Sequence, residues 1–161
     1  MNDYTNVGAQ SYSFRNFDTA GALDQLAKLG LSMMEFCGVH FPPNPDNPEL
    51  PNIITLLQNK QVTVPCYGVE GFGADAAANR KKFELAKKLG ARYLSADPES
   101  TSFSSLEKLV EEFDIKIAIH NHGPGARYDK VSDTLNAVNN LHPSIGACVD
   151  TGHALRTGES P

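Results

Sequence analysis

The chain has 161 residues, with 14 Lys+Arg against 19 Asp+Glu for a net charge of −5, 40% hydrophobic residues, 13 Gly and 10 Pro. That length suits one domain burying roughly 70% of its unfolded surface, and the composition excludes disorder, collagen and a disulfide scaffold. No stretch approaches the roughly 18 to 20 apolar residues of a membrane span, the amino terminus MNDYTNVGAQ lacks the layout of a secretion signal, and an acidic chain without Trp is a poor partner for a phosphate backbone. The expectation is a cytoplasmic protein with neither membrane nor nucleic acid as partner. Cys37, Cys66 and Cys148 are odd in number and far apart, with no CxxC. They read as reduced, apolar fillers rather than as disulfides, zinc ligands or nucleophiles.

Along the chain, short apolar runs alternate with helical patterns, the signature of βα units on a parallel sheet. Strand one is expected at 7–14. A helix from Thr19 follows, with Leu23, Leu26, Ala27 and Leu29 on one face and Gly30 ending it. Strand two spans 32–37. Five prolines within 41–51 make that stretch a loop, because proline removes backbone donors and restricts its predecessor. Ile53, Leu56 and Leu57 mark a short helix, and strand three follows at 62–67. Asp75 is placed to cap a helix reaching Leu89, with Phe83, Ala86 and Leu89 inward and Arg80, Lys81, Lys82, Lys87 and Lys88 on a solvated face; Gly90 ends it. Strand four spans 92–96. Ser104 followed by Glu107 fits a capping box for a helix carrying Leu106, Leu109, Val110 and Phe113. Strand five at 115–120, a helix with Val131, Leu135 and Val138, and strand six at 145–150 complete the series. Strand starts recur every 24 to 30 residues and two helices end alike in AKLG and AKKLG, so one βα unit repeats within a single domain, 1–161.

Two architectures accept such repeats: an open doubly wound sheet, which suits about 160 residues, and a (β/α)8 barrel, which normally needs about 250. Length favours the open sheet, but neither GxGxxG nor GxxxxGK[ST] is present, and the Gly-rich stretch 68–73 lacks phosphate-loop spacing. Both architectures place ligands at the carboxyl ends of the strands.

The polar residues gather at those ends. In IAIHNHGPG, 117–125, strand alternation puts Ile117 and Ile119 on one face and Ala118, His120 and His122 on the other, so two imidazoles are within reach of one ion. In VDTGHALRTG, 149–158, a strand ending on Asp150 turns through Thr151 and Gly152 to bring His153 alongside. One carboxylate and three imidazoles match the oxygen and nitrogen ligation of a divalent ion, so His120, His122, Asp150 and His153 are the candidate ligands. Arg156 is suited to gripping a substrate phosphate, carboxylate or hydroxyl, and Asp150 can also cap the turn that follows it. Glu35 is a charged residue at the end of an apolar strand, suited to general-base or substrate-binding work. Gln10, Tyr12, Tyr67, Glu70 and Asp97 lie near strand ends and can line the same cleft; Tyr12 and Glu70 join Arg156 as candidate substrate contacts.

The segments GAQSYSFR, LAKLGLSMMEFCG, NRKKFELAKKLGARYLSADP, IHNHGPG and IGACVDTGHALRTGESP together resemble the xylose-isomerase-like TIM-barrel superfamily, specifically its bacterial sugar phosphate isomerase/epimerase group. The DTGHxxRxG string with HNHGP about thirty residues earlier is the most specific part. The resemblance implies an α/β fold, an incomplete (β/α)8 TIM barrel of about six parallel strands. It also implies metal-assisted isomerisation or epimerisation of a small sugar or polyol, using Mn, Mg, Co or Zn. By their placement at strand ends, Glu35, His120 and His153 are the candidate catalytic groups for such chemistry. In many members a Glu ends strand five and an Asp ends strand six. Asp150 matches that Asp and His153 its companion, whereas His120 stands where the Glu is expected, a departure from a two-glutamate mechanism.

The chain stops at Pro161, after strand six, so the resemblance implies a barrel truncated there, lacking two strands and two of the family's usual ligands. Exposed edges on strands one and six then favour a homodimer or larger species. Two other readings compete: an inactive sugar-binding or structural remnant of the same fold, and the apurinic-endonuclease branch, against which the acidic charge argues.

Overall fold

The computed structural model describes residues 7–160; the reading of the amino terminus as free of a secretion signal rests mainly on residues outside that range. Six strands alternate with six helices: β1 (Ala9–Gln10), α1 (Thr19–Lys28), β2 (Met34–Glu35), α2 (Leu50–Asn59), β3 (Cys66–Phe72), α3 (Ala76–Leu89), β4 (Tyr93–Pro98), α4 (Phe103–Phe113), β5 (Lys116–His120), α5 (Val131–Val138), β6 (Ile145–Cys148) and α6 (Thr151–Arg156).

All strand pairings are parallel. β1 pairs with β2, and β3 to β6 form a four-stranded sheet in the order β3-β4-β5-β6. Bridges between Met33 and Thr63 and between Phe36 and Tyr67 join the two ladders; the Gly68 N–H donates to the Phe36 carbonyl at 2.8 Å. Neighbours in space are therefore neighbours in sequence. That is the order of a (β/α)8 barrel, whereas a doubly wound sheet places its first strand inside. The fold is α/β, part of a TIM barrel, with six βα units in sequence.

Local signals explain most elements. Asp75 accepts from the Ala77 and Ala78 N–H groups at 2.9 and 3.1 Å, satisfying donors that open α3, and Gly90 closes that helix at φ +73°. One face of the sheet, carrying Tyr67, Leu94, Ala96, Ile117 and Ile119, is buried with Leu23, Leu26, Phe83, Leu106 and Val110 of the helices in one apolar core. Burying each such Leu, Ile or Phe is worth roughly 1.5–3 kcal/mol. The alternate positions, among them Ser95 and His120, face the other way and supply the polar interior.

The structure corrects several expectations. Strand one shrinks to Ala9–Gln10 because 11–14 turn into a 3₁₀ helix. Strand three lies at Cys66–Phe72, not 62–67, so the Gly-rich stretch is mostly strand rather than loop. The expected loop at 41–51 ends earlier, since α2 starts at Leu50 with Pro51 in its first turn, where a missing N–H costs nothing. Strand six ends at Cys148, two residues short, and Asp150 becomes the cap of α6. No capping box forms at Ser104: the Glu107 carboxylate instead accepts from the His142 N–H at 3.0 Å. Ala27, Leu29 and Leu135 are exposed, because the inward stripes run through Ala22, Leu23 and Leu26 on α1 and through Thr134 on α5. The α3 cations are spent locally, as expected of a solvated face; Arg80 pairs with Glu112, and Lys88 donates to the Pro45 carbonyl at 2.7 Å. No helix among the described residues is long and apolar enough to cross a membrane.

Candidate functional site

Parallel order brings the carboxyl end of every strand to one rim, where a cleft of ≈ 840 Å³ opens. Gln10 and Tyr12 line it from the end of β1, Glu35 from β2, Glu70 from β3, His120 and His122 from β5, and Cys148, Asp150 and His153 from β6 and α6. A second cavity of ≈ 540 Å³, at the opposite rim, is lined by Met33, Val62, Pro65 and Arg92 among others and by no carboxylate or imidazole. The residues suited to acid–base or metal chemistry therefore converge on the carboxyl rim.

Three imidazoles form a triangle there. Ring centroids lie 4.4 Å apart for His120 and His122, 5.8 Å for His120 and His153, and 5.5 Å for His122 and His153. Asp150 Oδ2 stands 3.5 Å from His120 Nε2, while Asp150 Oδ1 accepts from the His153 N–H at 2.7 Å, so one carboxylate both faces the cluster and caps α6. The capping role expected of Asp150 is present. Burial, reinforced by His122, pushes the His120 imidazole below its ordinary value, against the pull of Asp150. Burial raises the Asp150 carboxyl, but the His153 N–H and the neighbouring imidazoles more than offset this and leave it below the usual range.

The donor chemistry suits a divalent ion: three imidazoles, one ionised carboxylate, and His120 Nδ1 buried with no hydrogen-bond partner. Among the described residues, however, no group of three or more His, Cys, Asp or Glu side chains is placed to hold a metal ion. Arg156 Nη1 lies 2.9 Å from His153 Nδ1.

Across the cleft, Glu35 is held by the Ser95 hydroxyl and by the Cys66 thiol, which donates at 3.3 Å. Burial raises its carboxyl above the ordinary value, and those two donors only partly counter it. Glu70 is also raised by burial despite Lys82 at 3.4 Å. The thiols are poor nucleophiles: burial pushes Cys66 far up and Cys148 up to about 11.

Three expected site residues sit outside the cleft. Tyr67 is core, its hydroxyl donating to the Phe41 carbonyl at 2.6 Å, and Asp97 pairs with Arg127 at 3.1 Å. Arg156 contacts His153 rather than lining the cleft. Sequence reasoning missed Ser95 and Asn121. Ser95 was detectable as the one hydroxyl in the middle of an apolar strand. Asn121, between two histidines, carries no signal of its partner, which is the backbone of the next strand: its amide donates to the Asp150 carbonyl at 3.0 Å and accepts from the Asp150 N–H at 2.7 Å.

No protein-family model and no curated protein matches the chain. Among solved structures, an uncharacterised protein from Parabacteroides distasonis ATCC 8503 superposes with a TM-score of 0.75 at 26% identity, over 96% of this chain and 67% of that one. A xylose isomerase domain protein from Alicyclobacillus acidocaldarius subsp. acidocaldarius does so with a TM-score of 0.68 at 15% identity, over 94% and 66%. The chain thus spans about two thirds of the length of these structures, and the likeness shows the fold they share over that length.

Asn121→Ala leaves the Asp150 N–H and carbonyl without their partners and is expected to lower unfolding stability by about 1–3 kcal/mol, read from urea midpoints. Glu35 gives a pH dependence. Its proton is held to higher pH in the folded chain than in the unfolded one, so stability falls as pH rises from the ordinary value of 4.5 through the raised one. Glu35→Gln has no proton to lose, and the difference in midpoint between it and the wild type is expected to grow in its favour across that window.

Proposed function

We propose that this chain carries the carboxyl-rim site of a sugar isomerase or epimerase, acting on a small sugar or polyol by metal-assisted proton transfer. One observation carries the reading: a half-buried carboxyl with a raised proton affinity, Glu35, shares one cleft with a cluster of three imidazoles and a second carboxyl, Asp150, whose proton affinity is lowered. Groups whose environments push their proton affinities apart are what acid–base chemistry on one substrate needs. A fold like that of a xylose isomerase domain protein supports the same reading.

A divalent ion (Mn, Mg, Co or Zn) within reach of His120, His122, Asp150 and His153 would supply polarisation of a carbonyl and its adjacent hydroxyl. Glu35 moves the proton on the neighbouring carbon; its burial keeps it basic enough to accept one and acidic enough to return it. His120, neutral through burial, and His153 complete the acid–base set. Tyr12 and Glu70 offer a hydroxyl and a carboxylate to sugar hydroxyls from the cleft wall, and Arg156 stands behind His153.

The test is deuterium exchange. With Mg(II) or Zn(II) present, a panel of ketoses and aldoses in D₂O is expected to gain deuterium beside the carbonyl by ¹H NMR, and Glu35→Gln is expected to slow this by about 10²-fold or more. Sugar binding by calorimetry without any exchange would favour the inactive, sugar-binding alternative.

The same reading extends to assembly. Among the described residues β1 pairs only with β2 and β6 only with β5, and Tyr12 and Phe17 near the first edge and Val149 and Leu155 near the last are exposed. Open edges flanked by apolar side chains favour association with a second copy. Light scattering at micromolar concentration is expected to show a dimer or larger species that Val149→Glu with Leu155→Glu dissociates; a wild-type monomer would overturn this.

A further inference from the structure

Arg156 does not reach the cleft wall, yet it lies one helical turn beyond His153 with its Nη1 at 2.9 Å from the Nδ1 of that imidazole. A guanidinium has five N–H donors and no acceptor, so in this contact His153 Nδ1 must offer its lone pair. A neutral imidazole that accepts at Nδ1 carries its proton on Nε2. The backbone crowds the same nitrogen from another side. Gly123, at φ +82°, passes so close that a Cβ there would stand 3.1 Å from His153 Nδ1. The His153 N–H is meanwhile tied to Asp150 Oδ1 at 2.7 Å, which leaves the residue little freedom to withdraw.

We propose that Arg156 is a positioning residue that locks His153 in its Nε2–H tautomer, so that His153 presents an N–H donor rather than a ligating lone pair to the cleft it lines. Neither nitrogen of His153 is then free to ligate, since one lone pair is engaged and the other nitrogen bears the proton. The exclusion of His153 as a ligand rests on the function proposed above and narrows the ligand set given there; the tautomer does not depend on it.

The two parts are tested separately. Long-range ¹H–¹⁵N correlation on the labelled, metal-free full chain at pH 8 is expected to show a pyridine-like Nδ1 and a pyrrole-like Nε2 for His153. Arg156→Lys, which keeps a donor, should retain that pattern, and Arg156→Leu should give a mixture of tautomers. A protonated Nδ1 in the wild type, or an unchanged spectrum in Arg156→Leu, overturns the lock. In calorimetric Zn(II) titrations His153→Ala should keep the wild-type affinity, whereas Asp150→Asn, which preserves the cap, should lose about 10-fold or more. An equal loss in His153→Ala overturns the exclusion of His153 from the ion site. A wild-type chain that binds no Zn(II) overturns the ion itself, and with it that exclusion, while the spectra still decide the tautomer.

Discussion

Asn121 lies between His120 and His122, is fully buried, and spends both halves of its side-chain amide on the backbone of Asp150. The regular ladder between β5 and β6 ends at the pairing of His120 with Cys148, so this amide acts as one more rung beyond the last strand residues. Its effect reaches along the chain. Holding the Asp150 backbone places the carboxylate that caps α6, the cap places the His153 backbone, and one turn later Arg156 comes to rest against the imidazole. A buried polar group of this kind is costly unless every bond is made. Here both are made on one residue, which is why two loop ends at the rim have a fixed separation.

The electrostatics of the cleft follow from depth. Glu35 lies on the interior face of the sheet, where loss of water outweighs two hydrogen bonds and raises its proton affinity. Asp150 stands at the rim, where a backbone N–H and nearby imidazoles prevail over burial and lower it. Identical chemistry thus yields one carboxyl inclined to hold a proton and one inclined to stay ionised, and His120 between them is inclined to stay neutral. An imidazole that must remain uncharged suits both proton acceptance and ligation, whereas an imidazolium would repel a cation.

Barrel order has its own consequence for where polar residues are tolerated. With strands added one by one in sequence, every second residue faces an interior shared with all the others, so Ser95 on β4 meets Glu35 on β2 across Cys66 of β3. The opposite face of the same strands is apolar and is covered by helices. The site is therefore inseparable from the packing: shifting β5 by one residue would exchange its two faces and turn His120 toward the helix-covered core.

Six strands, their alternation with helices and the gathering of Glu35, His120, His122, Asp150 and His153 at one rim were legible in the sequence, because each rests on local periodicity and on the shared direction of parallel strands. Helix ends governed by a neighbouring side chain or glycine, such as Asp75 and Gly90, were legible for the same reason. Strand limits were not: Ser11 and Cys66 lie in stretches whose local pattern fits strand or turn equally, and the choice fell to distant partners such as Cys37 and Glu35. The order of the strands was not set by local pattern, since length pointed to an open sheet and the resemblance to a barrel; the pairing of each strand with the next shows the barrel. The roles of Asn121, Ser95 and Arg156, and the removal of Tyr67 and Asp97 from the cleft, were decided by tertiary structure alone. A hydrogen bond between residues tens of positions apart leaves no periodic trace in the chain; it exists only once the backbone has been brought to within about 3 Å of its partner.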